Sequence, residues 1–249
     1  MSWNREKDWG KTKKFAEGQA LQRLDDLFFS FIELGKKLRP KVILAENVRG
    51  IIKGKSRGYV KQIIKELKAA GYTTQIFDLN GANMGLPQAR TRIFFIARRD
   101  DLGLKPIKIS FNEKPITFGE VEDWLVNIKK DRRPITNRKV LHFWKKSKPG
   151  RLLVNAYEEE TNKRALFNYS RESKHKPVRT MLAGAGALHH SEPAYLSIPE
   201  WLACSSFPMD YDFSADKRDP RWFMGMSVPP FMIQRIALQI AKQWSLKNV

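Results

Sequence analysis

The chain has 249 residues, with 46 Lys and Arg against 26 Asp and Glu for a formal net charge of +20, and 42% of its residues are hydrophobic. That apolar content is enough for a real core and excludes a disordered chain; no apolar run approaches the roughly 20 residues of a membrane span, and Met1-Ser2-Trp3-Asn4-Arg5-Glu6 lacks the apolar stretch of a signal peptide. The single cysteine, Cys204, excludes an internal disulfide framework and a Cys-rich zinc site, so a soluble, cytoplasmic protein is expected, with a charge excess that suits a polyanionic partner, nucleic acid being the usual one.

Apolar residues at helical spacing (Leu21, Leu24, Leu27, Phe28, Phe31, Ile32) predict a helix from Glu17 to Leu38, closed by Gly35 and Pro40. Lys41 to Ala45 then reads as a short buried parallel strand ending at the polar pair Glu46-Asn47. A Gly/Lys loop (50–58) leads to a helix from Tyr59 to Ala70, which Gly71 caps. Strands are expected at Thr73–Leu79 and Arg92–Ala97. Alternating β and α segments with crossovers of this length imply part of a doubly wound α/β sheet, whose ligands lie beyond the carboxyl ends of the strands.

From about Asp100 to Lys176 the pattern changes. Helical period is weak outside Phe118–Ile128, and basic residues dominate: Lys129, Lys130, Arg132, Arg133, Arg138, Lys139, Lys145, Lys146, Lys148 and Arg151. His142, Phe143 and Trp144 interrupt that run. Basic residues interleaved with aromatics can neutralise phosphates and stack on bases, and Phe143-Trp144 could equally be the small core of this stretch. Beyond Pro177, a helix is expected at Ile198–Ala203, broken by Phe207-Pro208, and an amphipathic one at Phe231–Trp244, entered through Pro229-Pro230.

Four pieces stand in fixed order on this pattern: Glu46-Asn47-Val48; Gln88-Ala89-Arg90-Thr91-Arg92; Ser197-Ile198-Pro199-Glu200 with Ser206-Phe207-Pro208 behind it; and Gly225-Met226-Ser227-Val228-Pro229-Pro230. Each is commonplace alone. In this order, around a basic insert, they resemble the later motifs of DNA (cytosine-5)-methyltransferases. The resemblance implies a partial Rossmann-like methyltransferase sheet with a smaller, basic target-recognition region. Residues 1–99 would be the second part of the catalytic domain, 100–176 the target-recognition region, and 177–249 the closing motifs and last helix.

The resemblance further implies methyl transfer from S-adenosylmethionine to C5 of an extrahelical cytosine in duplex DNA. A carboxyl group there binds the N3/N4 edge of the base, general acid assistance that is typically worth about 10²–10⁴-fold; Glu46 matches it. Asn47 would shape the loop beneath the base. Arg90 and Arg92 match an arginine pair that clamps the cytosine O2 and neighbouring phosphate, with Gln88 in the same motif; the planar guanidinium fork suits such work. Ser227 matches a contact to the amino-acid end of S-adenosylmethionine. Met226 stands where the family usually has Asn, which weakens the polar contacts to the cofactor. Glu200 fits a motif bracing the recognition region, but the family's neighbouring arginine is Pro199 here, and looser bracing is expected.

Two family motifs do not occur in the sequence: the Gly-rich turn that holds the cofactor and the Pro-Cys pair that bears the nucleophile. Cys204, in the mostly apolar stretch Trp201–Ser206, reads as a small buried hydrophobe. Gly184-Ala185-Gly186 lacks the third glycine of a dinucleotide turn, and His175, His189 and His190 with Cys204 make no metal spacing. Ser2–Arg5 with Trp9-Gly10-Lys11 looks like the loop that follows the nucleophile. Either Met1 is an internal methionine or a complementary N-terminal subunit supplies the missing motifs; the final helix argues against circular permutation. Alone, the chain would leave a sheet edge and an apolar face open, and it is expected to behave poorly or to dimerise there. A non-catalytic DNA-binding chain and an unrelated RNA-binding protein are the alternatives.

Overall fold

A computed structural model describes residues 12–13, 22–23, 27–53, 56–163, 168–183, 186–215 and 217–244. The loop expected at 2–11 and Gly184-Ala185 lie outside these residues. Two compact units emerge: the first takes Met1–Leu79, Thr91–Ile109 and Lys242–Val249, the second Asn80–Arg90 and Ser110–Ala241. The stretch 177–241 thus groups with 110–176.

In the first unit, β1 (Thr12–Lys13) and β2 (Gln22–Arg23) form a two-residue antiparallel pair. Helix α1 covers Leu27–Leu38, so of the helix expected from Glu17 the last three turns are present, and Gln22–Arg23 are extended. Strands β3 (Val42–Val48), β4 (Tyr72–Asn80) and β6 (Thr91–Arg99) form one sheet in the order β3-β6-β4, with α2 (Ser56–Ala69) between β3 and β4 in sequence. Strand β3 runs antiparallel to β6, from Val42 opposite Arg98 to Val48 opposite Arg92. This corrects the parallel reading of β3: a continuous apolar run reports burial on both faces and carries no information on direction. The run also continues through Glu46 and Asn47, which belong to the ladder rather than to a tip beyond it.

The core of this unit follows from the periodicities. Val60, Ile63 and Leu67 put one face of α2 inside, and Ile93, Phe95 and Ala97 alternate along β6 to meet it together with Ile32 of α1 and Ile43 of β3. Gly71, at φ +83°, takes the left-handed conformation that ends α2, a conformation costly for residues with a Cβ. On β4 the Gln75 amide donates to the Ile107 carbonyl (2.9 Å) and accepts from the Ile107 N–H (2.8 Å).

The second unit has short strands and short helices. Strand β5 (Gln88–Ala89) lies parallel to β9 (Val178–Arg179). Strand β8 (Ser170–Arg171) sits between β7 (Arg151–Leu152) and β10 (Ala187–Leu188). The helices are α3 (Phe118–Trp124), α4 (Arg138–Lys146), α5 (Leu153–Thr161), α6 (Ile198–Ser205), α7 (Pro220–Met226) and α8 (Pro230–Trp244), the last reaching into the residues of the first unit from Lys242. Capping boxes Thr117/Glu120 and Ser197/Glu200 start α3 and α6, each satisfying N–H groups that a helix end leaves without partners. Phe118, Val121, Val178, Met181, Trp201 and Cys204 belong to one apolar cluster, and Val140, Phe143, Trp144, Leu153 and Leu188 to another.

The second cluster resolves the open reading of Phe143-Trp144. Both are buried core, the Trp144 indole donating to the His189 carbonyl (3.0 Å) with Arg171 stacked 4.0 Å from its ring centre. Of the basic run, Lys129, Arg132, Arg133, Lys146 and Arg151 pair with carboxylates of the same unit. Among the described residues no helix is long and apolar enough to cross a membrane.

Candidate functional site

The residues singled out by sequence fall into two groups. In the first unit Glu46 sits opposite Phe94 in the β3–β6 ladder, and Arg92 lies two residues along, on the same face. That diagonal brings Arg92 Nε to 2.8 Å from Glu46 Oε1, with Arg92 nearly buried and a quarter of the Glu46 side chain open to solvent. Burial pulls the Arg92 guanidinium below its ordinary range, and Glu46 works against that shift by favouring the charged form. Asn47 turns its side chain locally, its Oδ1 accepting from the Val48 N–H (2.8 Å) just before the chain enters a 3-10 turn, Arg49–Ile52. Arg49 then pairs with Asp78 of β4 (2.7 Å).

In the second unit Gln88 and Arg90 work inward. The Gln88 amide donates to the Cys204 carbonyl (3.2 Å) and accepts from the Met181 N–H (3.4 Å). Arg90 is 1% exposed, and its terminal nitrogens donate to the carbonyls of Met181 (3.0 Å), Gly225 (3.1 Å) and Ser227 (2.7 Å). Charge-assisted bonds to main-chain carbonyls make a stiff brace, so Arg90 grips the loop that contains Gly225, Met226 and Ser227. The structure therefore pairs Glu46 with Arg92 and joins Gln88, Arg90 and Ser227 in a separate network.

That loop is held tightly. A Cβ at Gly225 would stand 2.3 Å from the Ala183 nitrogen and 2.7 Å from the Leu182 carbonyl carbon, both backbone. Gly225→Ala should therefore destabilise the protein by about 1–3 kcal/mol through overpacking, read as a lower urea midpoint at unchanged slope. The Ser227 hydroxyl donates to the Phe223 carbonyl (2.7 Å), which leaves its oxygen able to accept. Met226, 64% exposed, offers no comparable polar group.

Glu200 overturns one expectation. It is 0% exposed, and its Oε2 accepts from the Ser197 N–H (2.7 Å) and hydroxyl (2.8 Å) in the capping box. Arg132 then supplies the guanidinium that Pro199 lacks, its Nε donating to Glu200 Oε1 (3.1 Å) and its Nη2 reaching the same oxygen. Arg132 also bonds Glu192 and Glu122, and those three carboxylates outweigh burial to raise its pKa. The bracing is thus rebuilt from 68 residues upstream, and Pro199 fits the first turn of α6, where an N–H has no helical acceptor.

A second cluster escaped sequence reasoning for the same reason. Glu122, His189 and His190 bring ligand-type atoms within 4.8 Å of one another, with Glu122 accepting from both imidazoles at 2.9 and 3.0 Å. His189 Nδ1 lies at acceptor distance from the N–H groups of Ser191 (3.3 Å) and Glu192 (3.1 Å), which puts the ring proton on Nε2 and makes the contact to Glu122 a hydrogen bond. Cys204 is wholly buried, and burial pushes its thiol well above the ordinary range.

The fold is a mixed α/β one. Solved structures with that fold include a DNMT2 mutant from Spodoptera frugiperda (TM-score 0.60, 16% identity, covering 92% of this chain and 76% of that one) and the Dnmt2 methyltransferase of S. pombe (TM-score 0.54, 14% identity, 93% and 75%). Residues 8–242 match the C-5 cytosine-specific DNA methylase family, and the chain belongs to it. Among relatives it is similar to the type II methyltransferases M.NgoFVII of Neisseria gonorrhoeae (26% identity over 86% of this chain) and M.DdeI of Desulfomicrobium norvegicum (26% over 90%), and over 41% of its length to M.FnuDI of Fusobacterium nucleatum (36%). These matches span 62%, 68% and 32% of the relatives' own lengths.

Proposed function

We propose that the chain provides the base-recognising half of a DNA cytosine-5 methyltransferase, which transfers a methyl group from S-adenosylmethionine to C5 of a flipped cytosine in duplex DNA. The observation that carries this reading is the Glu46–Arg92 pair, a partly exposed carboxyl held by a guanidinium on a strand ladder. Glu46 meets the N3/N4 edge of the base and holds a proton at N3, which makes the ring attackable. Arg92 fixes the Glu46 carboxylate and presents its remaining donors to the same nucleotide. Arg90 acts one step removed, as a positioning residue that fixes the Gly225–Ser227 loop through its carbonyls. Ser227 and the neighbouring Met226 meet the cofactor, whose sulfonium supplies the methyl when bound. The basic stretch 100–176 contacts DNA, where phosphate contacts position the duplex and base contacts specify it.

The nucleophilic thiolate and the Gly-rich cofactor turn belong to the N-terminal part of the enzyme that complements these residues, because Cys204 is sealed in an apolar core. The test is transfer of labelled methyl to duplex DNA by this chain together with that complement. Methylation that needs both supports the reading, and none under any pairing overturns it. The burial of Cys204 favours one second reading, a DNA-binding chain without catalysis, which predicts binding that falls steeply with salt and no methyl incorporation.

A further inference from the structure

Two neighbouring arginines of the second unit are used in opposite ways. Arg132 points inward and directs its guanidinium to Glu122, Glu192 and Glu200. Arg133 points outward, with 63% of its side chain exposed, yet it is not loose. Its backbone is pinned. The Arg133 carbonyl accepts from the Tyr195 N–H (2.9 Å), the Ile135 N–H donates to the Pro193 carbonyl (2.9 Å), and Pro134 and Ala194 form an antiparallel bridge between them. At the far end of the side chain, Nη2 donates to Asp219 Oδ2 (3.1 Å), and the guanidinium stands 6.0 Å from the Tyr195 ring centre.

Asp219 is itself fixed. It caps α7 by accepting from the Arg221 N–H (3.0 Å), and Arg221 grips both its oxygens, Nε to Oδ1 at 2.8 Å and Nη2 to Oδ2 at 2.7 Å. A carboxylate held in this way sets the plane of the guanidinium it meets, and so removes part of the freedom that an exposed arginine would lose on binding. Among the described residues Asp219 is the one hydrogen-bond partner of the Arg133 side chain, so most of its five donors are available. Arg133 also borders space rather than packed protein: with Tyr169, Tyr195, Asp219 and Trp222 it lines part of a cleft of about 170 Å³. Gly186 shapes one wall, since a Cβ there would stand 2.3 Å from Tyr169 Cδ1 and 2.9 Å from Tyr195 Cε1; both rings lie against bare backbone.

A guanidinium oriented by a carboxylate fits a pair of neutral acceptors set side by side. A phosphate would bring a negative charge next to Asp219, which lies 3.1 Å from the same guanidinium. The edge of a base brings none. In the major groove guanine alone presents two adjacent acceptors, N7 and O6. Adenine and cytosine place an amino donor there, which opposes an N–H, and thymine offers a single acceptor beside a methyl group. We propose that Arg133 is a specificity-determining residue that reads one guanine of the target duplex through N7 and O6, with Asp219 and Arg221 as the residues that position it. The inference rests on the methyltransferase reading for its substrate, duplex DNA.

The test selects bound duplexes from a randomised pool, using the full chain and its Arg133→Ala variant. The wild-type chain should enrich a motif containing a guanine that Arg133→Ala no longer requires, a loss of roughly 5- to 150-fold at that position for one bidentate contact. The other positions and the salt slope should stay nearly unchanged. Arg133→Gln should move the same position towards adenine, whose N6/N7 edge an amide matches. Asp219→Asn keeps a capping oxygen without the charge; it should blunt the guanine preference at unchanged salt slope, an effect that a merely structural role would not produce. Because Arg133 is mostly exposed, Arg133→Ala should fold as the wild type does, which circular dichroism checks. Weakening that is uniform over all sequences, with a shallower salt slope, would make Arg133 a phosphate contact and overturn the proposal; an unchanged motif or no motif at all would overturn it too. A guanine preference that depends on Arg133, in a chain that methylates no DNA even when joined to its N-terminal part, would uphold the reader and sink the methyltransferase reading. Methylation indifferent to Arg133→Ala at every sequence would do the reverse.

Discussion

Arg132→Ala is expected to destabilise the protein by about 3–5 kcal/mol, the usual cost of leaving a buried charge without its partner. Glu200 is wholly buried, and without the guanidinium its carboxylate keeps only the two bonds from Ser197. Glu122 and Glu192 lose the same partner, although Glu192 is half exposed and contributes little. At roughly 2–4 °C per kcal/mol for a chain of this size, the melting temperature should fall steeply. Glu200→Gln should cost less, because an amide oxygen still accepts from Ser197 and the buried charge is removed with its need for a partner. Combining it with Arg132→Ala should recover much of the loss, a coupling that a double-mutant cycle reads directly. A loss under 1 kcal/mol for Arg132→Ala would show that water reaches Glu200 and that the three-carboxylate hub is no brace.

How much of this was legible in the sequence divides along one line. Elements specified by local signals came through: α2 by the helical period over Tyr59–Ala70, its end by Gly71, α6 by the helical stretch Ile198–Ala203, and α8 by Pro229-Pro230. Features set by distant partners did not. The direction of β3 depends on β6, about 50 residues away, and an apolar run looks the same from either side. The partner of Glu200 was sought next door at Pro199 and stands at Arg132; Glu122 meets His189 across 67 residues. Arg90 and Arg92 look equivalent in Gln88-Ala89-Arg90-Thr91-Arg92, yet one belongs to the strand ladder with Glu46 and the other to a set of buried carbonyls. Only coordinates separate two arginines of identical chemistry.

That separation sharpens the test of the proposed chemistry. In the enzyme completed by its N-terminal part, Glu46→Gln should lower methyl transfer about 10²–10⁴-fold, the usual size of a lost general acid, while DNA binding changes little. The amide keeps the shape of the side chain and an oxygen for Arg92, but it cannot deliver a proton to N3. Because the pair is largely buried, Glu46→Gln should also cost some stability; a melting curve measured beside the activity then distinguishes lost chemistry from lost structure. Glu46→Asp retains the acid but draws it back by one methylene, so activity should fall between wild type and Gln. Arg92→Lys should lower activity with the acid still in place, since an ammonium cannot reproduce the guanidinium fork that holds both carboxylate and nucleotide. Arg90→Lys, by contrast, should act through the Gly225–Ser227 loop and weaken the response to cofactor concentration more than the rate at saturation. Full activity in Glu46→Gln would remove this carboxyl from the mechanism, and equal kinetic patterns for the two lysine variants would erase the distinction between Arg92 at the base and Arg90 behind the loop.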